Sequence, residues 1–132
     1  MDTIAVGIDF SKTSLAAMRL AGDIAARAKA DLCVIWVETA EEDPKTAEAK
    51  LQELTKEAQQ KLSENKVSYR IVEGRKVYTA LNAAVKECKA DLLVIGTHGN
   101  SGFEEKFAGA NAYKTITISP ISALVISCSR LL

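Results

Sequence analysis

Five apolar runs punctuate the chain: TIAVGIDF (3–10), DLCVIWVE (31–38), VSYRIVE (67–73), DLLVIG (91–96) and ISALVISC (121–128). A strand with one face in water alternates apolar and polar residues, and most of these runs do not alternate. Nearly continuous Val, Ile and Leu is the pattern of strands covered on both faces. This feature constrains the fold most, because something must lie on each side of such a sheet.

The intervening segments carry helical periodicity. Ala17, Ala21, Ile24 and Ala28 form one stripe, with Arg19, Asp23 and Arg27 opposite it. Leu51, Leu54, Ala58 and Leu62 form a second stripe, and Val77, Leu81, Ala84 and Cys88 a third. Asp43 before Pro44 marks a helix start, a capping side chain followed by proline at the first helical position. A fourth helix is expected from about Ala110 to Ile118, stopped by Pro120. Strands alternating with helices imply right-handed crossovers, hence an α/β fold with a parallel sheet and helices on both faces. The heptapeptide KADLCVI (29–35) returns almost unchanged as KADLLVI (89–95), each copy running from the end of a helical stripe into a strand. The same helix-to-strand junction is used twice.

At 132 residues with no Pro/Gly/Ser-rich linker, the chain reads as one domain, 1–132. The charged stretch ETAEEDPKTAEAK (38–50) is a solvated loop and helix start. Seventeen basic and seventeen acidic residues cancel, which argues against nucleic acid or an anionic membrane as partner. No segment approaches the roughly 18 apolar residues of a membrane helix, and the amino terminus lacks a basic leader pattern. A cytoplasmic protein is expected. Its three cysteines, Cys33, Cys88 and Cys128, are far apart in sequence without CxxC spacing and read as buried reduced thiols.

Four of the seven glycines fall within IGTHGNSGFEEKFAGANAY (95–113), immediately after an apolar run. In an open parallel sheet, ligands sit beyond the carboxyl ends of the strands, where strand order reverses. The spacing here is neither a Walker A loop nor GxGxxG. Gly96 and Gly99 allow backbone N–H groups to approach a phosphate chain without an intervening Cβ. Gly109 stands before a helix start, whose free amides at Ala110 and Asn111 favour an anion. A long turn alone accounts for an isolated glycine pair, whereas three glycines between a strand end and a helix start favour phosphate.

The segment resembles the nucleotide loop of universal stress proteins, whose ATP-binding members carry G-x2-G-x9-G-[ST] after the fourth strand. GIDFSKTS is similar to that family's first strand end, DLLVIGTHGNSGF to its most recognisable stretch and SPISALVIS to its last strand. The resemblance implies a five-stranded sheet ordered 3-2-1-4-5, Rossmann-like and akin to the adenine nucleotide alpha hydrolases. It also implies ATP, with Mg²⁺ carried on the phosphates, and a homodimer formed through the last strand. Carried over by position, Asp9 faces the ribose and Val37 the adenine. Gly96 and Gly99 line the site, and Gly109, Ala110 and Asn111 surround the phosphates.

Two positions depart from the family pattern: Ala110 replaces the final Ser or Thr, and Asn100 stands where Arg is frequent. A lost hydroxyl removes one hydrogen bond to an anion, about 1.5–3 kcal/mol, or roughly ten- to a hundred-fold in affinity. The backbone donors remain, and the glycines are kept.

No catalytic constellation is legible. His98, the only histidine, lies within a GTHG that the family commonly carries, and no acid–base partner is identifiable near it. Ser11 and Thr13 suit a helix cap at least as well as a phosphate contact. Glu104 and Glu105 read as solvated loop charges, and Trp36, on a strand, as core. The expectation is a non-enzymatic, ATP-binding regulatory dimer. Its competitor is a dimeric interaction module of the same fold that has lost the nucleotide, and adenylyl transfer lacks a matching motif.

Overall fold

A computed structural model describes residues 1–38, 42–74, 76–97 and 121–127. Five strands, β1 (Thr3–Ile8), β2 (Asp31–Val37), β3 (Val67–Val72), β4 (Leu92–Thr97) and β5 (Ser122–Ser127), pair in parallel in the order β3-β2-β1-β4-β5. Three helices are described, α1 (Lys12–Ala28), α2 (Pro44–Lys61) and α3 (Val77–Cys88). The anticipated strand order is present, and the fourth anticipated helix lies outside the described residues.

The strand periodicity sorts side chains onto two cores. Ile4, Val6, Ile8, Leu32, Val34 and Trp36 face α1 and α2, meeting Ala17, Met18, Ala21, Ala47 and Leu51. The alternate residues Ala5, Cys33, Ile35, Val37, Leu93 and Ile95 meet Leu81, Ala84 and Val85 of α3. Continuous apolar runs are thus required, since both faces of the central strands are covered. The edge strand β3 is only half-buried throughout, and its polar residues fit that place. Tyr69 donates its hydroxyl to Glu48 at 3.0 Å, and Arg70 pairs with Glu87 at 3.1 Å.

One expectation is corrected. The buried face of α1 is turned toward Met18 and Ala25, and Ala28 is exposed. Alanines carry little hydrophobic weight, so a stripe made mostly of them locates a face poorly. Met18, the large apolar side chain, decides it. The face of Arg19, Asp23 and Arg27 is exposed as anticipated.

The repeated heptapeptide has a physical basis. Lys29 and Lys89 both end a helix in the left-handed conformation, at φ 54° and 57°. Each turn is closed by the following alanine, as Ala30 N–H donates to Ala25 O and Ala90 N–H to Val85 O. The aspartate that follows then anchors the entry of a neighbouring strand. Asp31 Oδ1 accepts from Lys66 N–H at 2.9 Å and from Asn65 Nδ2 at 3.1 Å. Asp91 Oδ2 accepts from the N–H groups of Asp2 and Thr3 at 2.7 and 3.1 Å. These bonds hold both carboxyls below the usual carboxylate range.

Candidate functional site

Strand β1 stops at Ile8, two residues earlier than its apolar run, because the chain turns sharply into α1. Asp9 Oδ1 accepts from Ser11 N–H at 2.9 Å, and Asp9 N–H donates to Ser14 Oγ at 3.2 Å. Ser11 is the N-cap, its Oγ accepting from Ser14 N–H at 3.2 Å and lying 3.2 Å from Thr13 Oγ1. Ser14 Oγ in turn donates to the Ser11 carbonyl at 3.1 Å. The hydroxyls of Ser11 and Thr13 are buried within this turn, which supports their reading as helix-start residues.

Between Asp9 and the cap, Phe10 adopts φ 66°, costly for a bulky residue. Packing holds it there: its ring centroid is 6.3 Å from that of Trp36, and Lys50 Nζ lies 5.0 Å from its centre. Trp36, 2 % exposed, is core as anticipated.

Val37 is the last residue of β2 and is buried, while Gly96 lies near the end of β4. The pairing of Ile8 with Trp36 puts Asp9 beside Val37 at the sheet's carboxyl edge. Strand β4 flanks β1 on the other side. Asp9, Val37 and Gly96 therefore stand at the ends of three adjacent strands. The order reverses between β1 and β4, where a crevice opens in folds of this kind.

The structure supplies a close partner for Gly96. A Cβ there would come within 2.6 Å of the Thr13 carbonyl carbon and oxygen and 2.9 Å of its Cβ. The glycine lets the first turn of α1 sit directly on β4, so its need for a missing side chain is met by packing. A glycine in a strand signals close backbone approach, but not what approaches.

A carboxylate pair escaped the sequence reading. Glu38 follows β2 and Glu73 follows β3, and the register pairs Val37 with Val72, bringing the two acids side by side. Desolvation, followed by the charge and hydrogen bonding of Glu73, pushes the Glu38 carboxyl up. Glu38 N–H also donates to Val72 O at 2.7 Å, fixing the strand ends. The signal lay in the shared position of the two acids after apolar runs, visible only once those strands are known to be neighbours.

Gly99, Gly109, Ala110 and Asn111 lie outside the described residues, as do His98, Asn100, Glu104 and Glu105. Among the described residues, no group of three His, Cys, Asp or Glu side chains is placed to hold a metal, and no helix is long and apolar enough to cross a membrane.

The chain matches the Universal stress protein family over residues 1–127. It belongs to that family. A universal stress protein solved in complex with cAMP is 28% identical, with 96% of each chain covered and a TM-score of 0.75. A universal stress protein from Archaeoglobus fulgidus DSM 4304 is 25% identical at a TM-score of 0.74, with 96% of this chain and 44% of that one covered. Another from Archaeoglobus fulgidus, in complex with dAMP, shares the fold at a TM-score of 0.74 and 18% identity, covering 96% of this chain and 98% of that one. No curated protein matches the chain in sequence.

Proposed function

We propose that this universal stress protein binds ATP at the carboxyl edge of β1, β2 and β4 and acts as a regulatory dimer without a reaction of its own. One observation carries the reading: Asp9, Val37 and Gly96 end adjacent strands at the point where strand order reverses. Asp9, oriented by its bond from Ser11 N–H, meets the ribose, and the buried end of β2 at Val37 meets the adenine. Gly99, Gly109 and the amides of Ala110 and Asn111 take the phosphates, with Mg²⁺ riding on them. Asp9, an oxygen donor after the end of β1 at the point where strand order reverses, is compatible with a hard cation held mainly by phosphate. The cAMP complex of the 28% identical relative supports an adenine nucleotide. Titration calorimetry with ATP and Mg²⁺ tests it: heat is expected with ATP and not with GTP. Absence of heat and of a thermal shift at millimolar nucleotide defeats the reading.

A second reading is a dimeric interaction module without nucleotide, favoured by Ala110 in place of a hydroxyl residue. Intact dimers that bind no adenine nucleotide would establish it.

A further inference from the structure

Two cysteines that are remote in sequence meet at the opposite end of the molecule. Cys33 lies near the start of β2, between Ala5 of β1 and Ser68 of β3. Cys88 is the last residue of α3 and packs against the core cluster that contains Cys33, and the two side chains line the same cleft. Both are free, Cys33 buried and Cys88 half-buried. A cleft of about 130 Å³ opens onto them, lined also by Ser68, Arg70, Asp31 and Lys66.

We propose that Cys33 and Cys88 form a hydroperoxide-reactive dithiol that closes to a reversible intramolecular disulfide. The roles divide by electrostatics. The neighbouring Cys88 thiol lowers the Cys33 thiol against its burial, and the Arg70 guanidinium adds to the effect. Cys88 is pushed up, chiefly by Cys33 and then by burial. It also ends a helix, where the carbonyl end of the dipole disfavours an anion. Cys33 is therefore the attacking sulfur and Cys88 the resolving one.

In the first step the Cys33 thiolate attacks one peroxide oxygen, an S–O bond forms and the O–O bond breaks. The leaving oxygen takes a proton and departs as water, or as an alcohol from an organic hydroperoxide. Sulfur has then lost two electrons to the peroxide and is a sulfenic acid. In the second step Cys88 attacks that sulfur, the S–S bond forms and hydroxide leaves, taking the Cys88 proton to become a second water. Closing the bond brings two sulfurs of one cleft to about 2 Å, a movement available to a residue at a helix end. The small cleft favours hydrogen peroxide over a bulky disulfide such as oxidised glutathione.

The test is peroxide treatment of the wild-type chain at neutral pH, followed by intact mass and peptide mapping without reductant. Near-stoichiometric hydrogen peroxide is expected to remove two hydrogens and join the Cys33 and Cys88 peptides, with dithiothreitol restoring both thiols. The folded chain should react about tenfold faster than the urea-unfolded chain, because Cys88 and Arg70 favour the thiolate form of Cys33. In Cys88→Ser, which keeps a hydroxyl donor beside Cys33 but no resolving sulfur, Cys33 should stop at a sulfenic acid that dimedone traps. Direct passage of wild-type Cys33 to sulfinic acid, or a folded chain no faster than the unfolded one, overturns the proposal. Equal rates with oxidised glutathione overturn the assignment to hydroperoxides.

Discussion

A Cβ on Gly96 would stand 2.6 Å from the carbonyl carbon of Thr13, closer than real side chains approach backbone. Strand β4 and the first turn of α1 are thus locked by a missing methyl group. Thr13 cannot retreat easily, because its turn is tied to Asp9 through Ser11 and Ser14. Gly96→Ala is expected to cost about 1–3 kcal/mol, the usual range for overpacking a filled interior. Chemical denaturation checks it. An unchanged midpoint would mean that the first turn of α1 shifts freely.

The acid limb of stability should depend on Asp31 and Asp91. Their folded pKa values lie below the ordinary 3.8, so their contribution is present above that value and is lost as pH falls through the folded pKa. Asp31→Asn and Asp91→Asn should each flatten the decline of melting temperature below about pH 4. Parallel pH profiles for wild type and variants would count against these anchors.

Glu38 has the opposite sign. Its folded pKa is raised, so its contribution is present at low pH and is lost as pH rises through that pKa. Glu73→Gln removes the neighbouring charge and should bring the Glu38 titration, followed by NMR, back toward the ordinary carboxylate range. If it stays put, desolvation alone sets it.

For the proposed nucleotide site, Ala110→Ser should tighten ATP binding several-fold by adding a hydroxyl donor for phosphate. Gly109→Val should block binding by setting a branched side chain against the phosphates. Equal calorimetric affinities in wild type and both variants would put the ligand elsewhere.

For assembly, β5 is the sheet edge beside β4, and its Leu124 is 37% exposed. An uncharged edge strand is suited to pair with its twin across a two-fold axis. Val125→Lys should disrupt the proposed dimer, but Val125 also packs on the α3 core, so Leu124→Lys is the cleaner variant. Sedimentation should show a wild-type dimer at micromolar concentration and a shift toward monomer in L124K. A monomeric wild type ends the proposal.

Local patterns carried much of this architecture. Unbroken Val, Ile and Leu demanded strands with two covered faces. Asp43-Pro44 marked the start of α2, where Asp43 indeed caps Thr46 N–H at 3.3 Å. The KAD junction announced its double use because turn chemistry resides in a few consecutive residues. Alternation of strands and helices pointed to a parallel sheet but left strand order open, and the family resemblance supplied it.

What stayed hidden depends on contacts between residues far apart in the chain. Gly96 signalled a close approach, yet only packing shows Thr13 as the neighbour. Glu38 and Glu73 became a pair through the register of β2 with β3. Cys33 and Cys88, read from spacing as separate buried thiols, came together because α3 ends beside the start of β2. Periodicity tells a side chain which face it occupies. Its neighbour on that face follows from strand order and helix docking, which are settled by how the whole core packs.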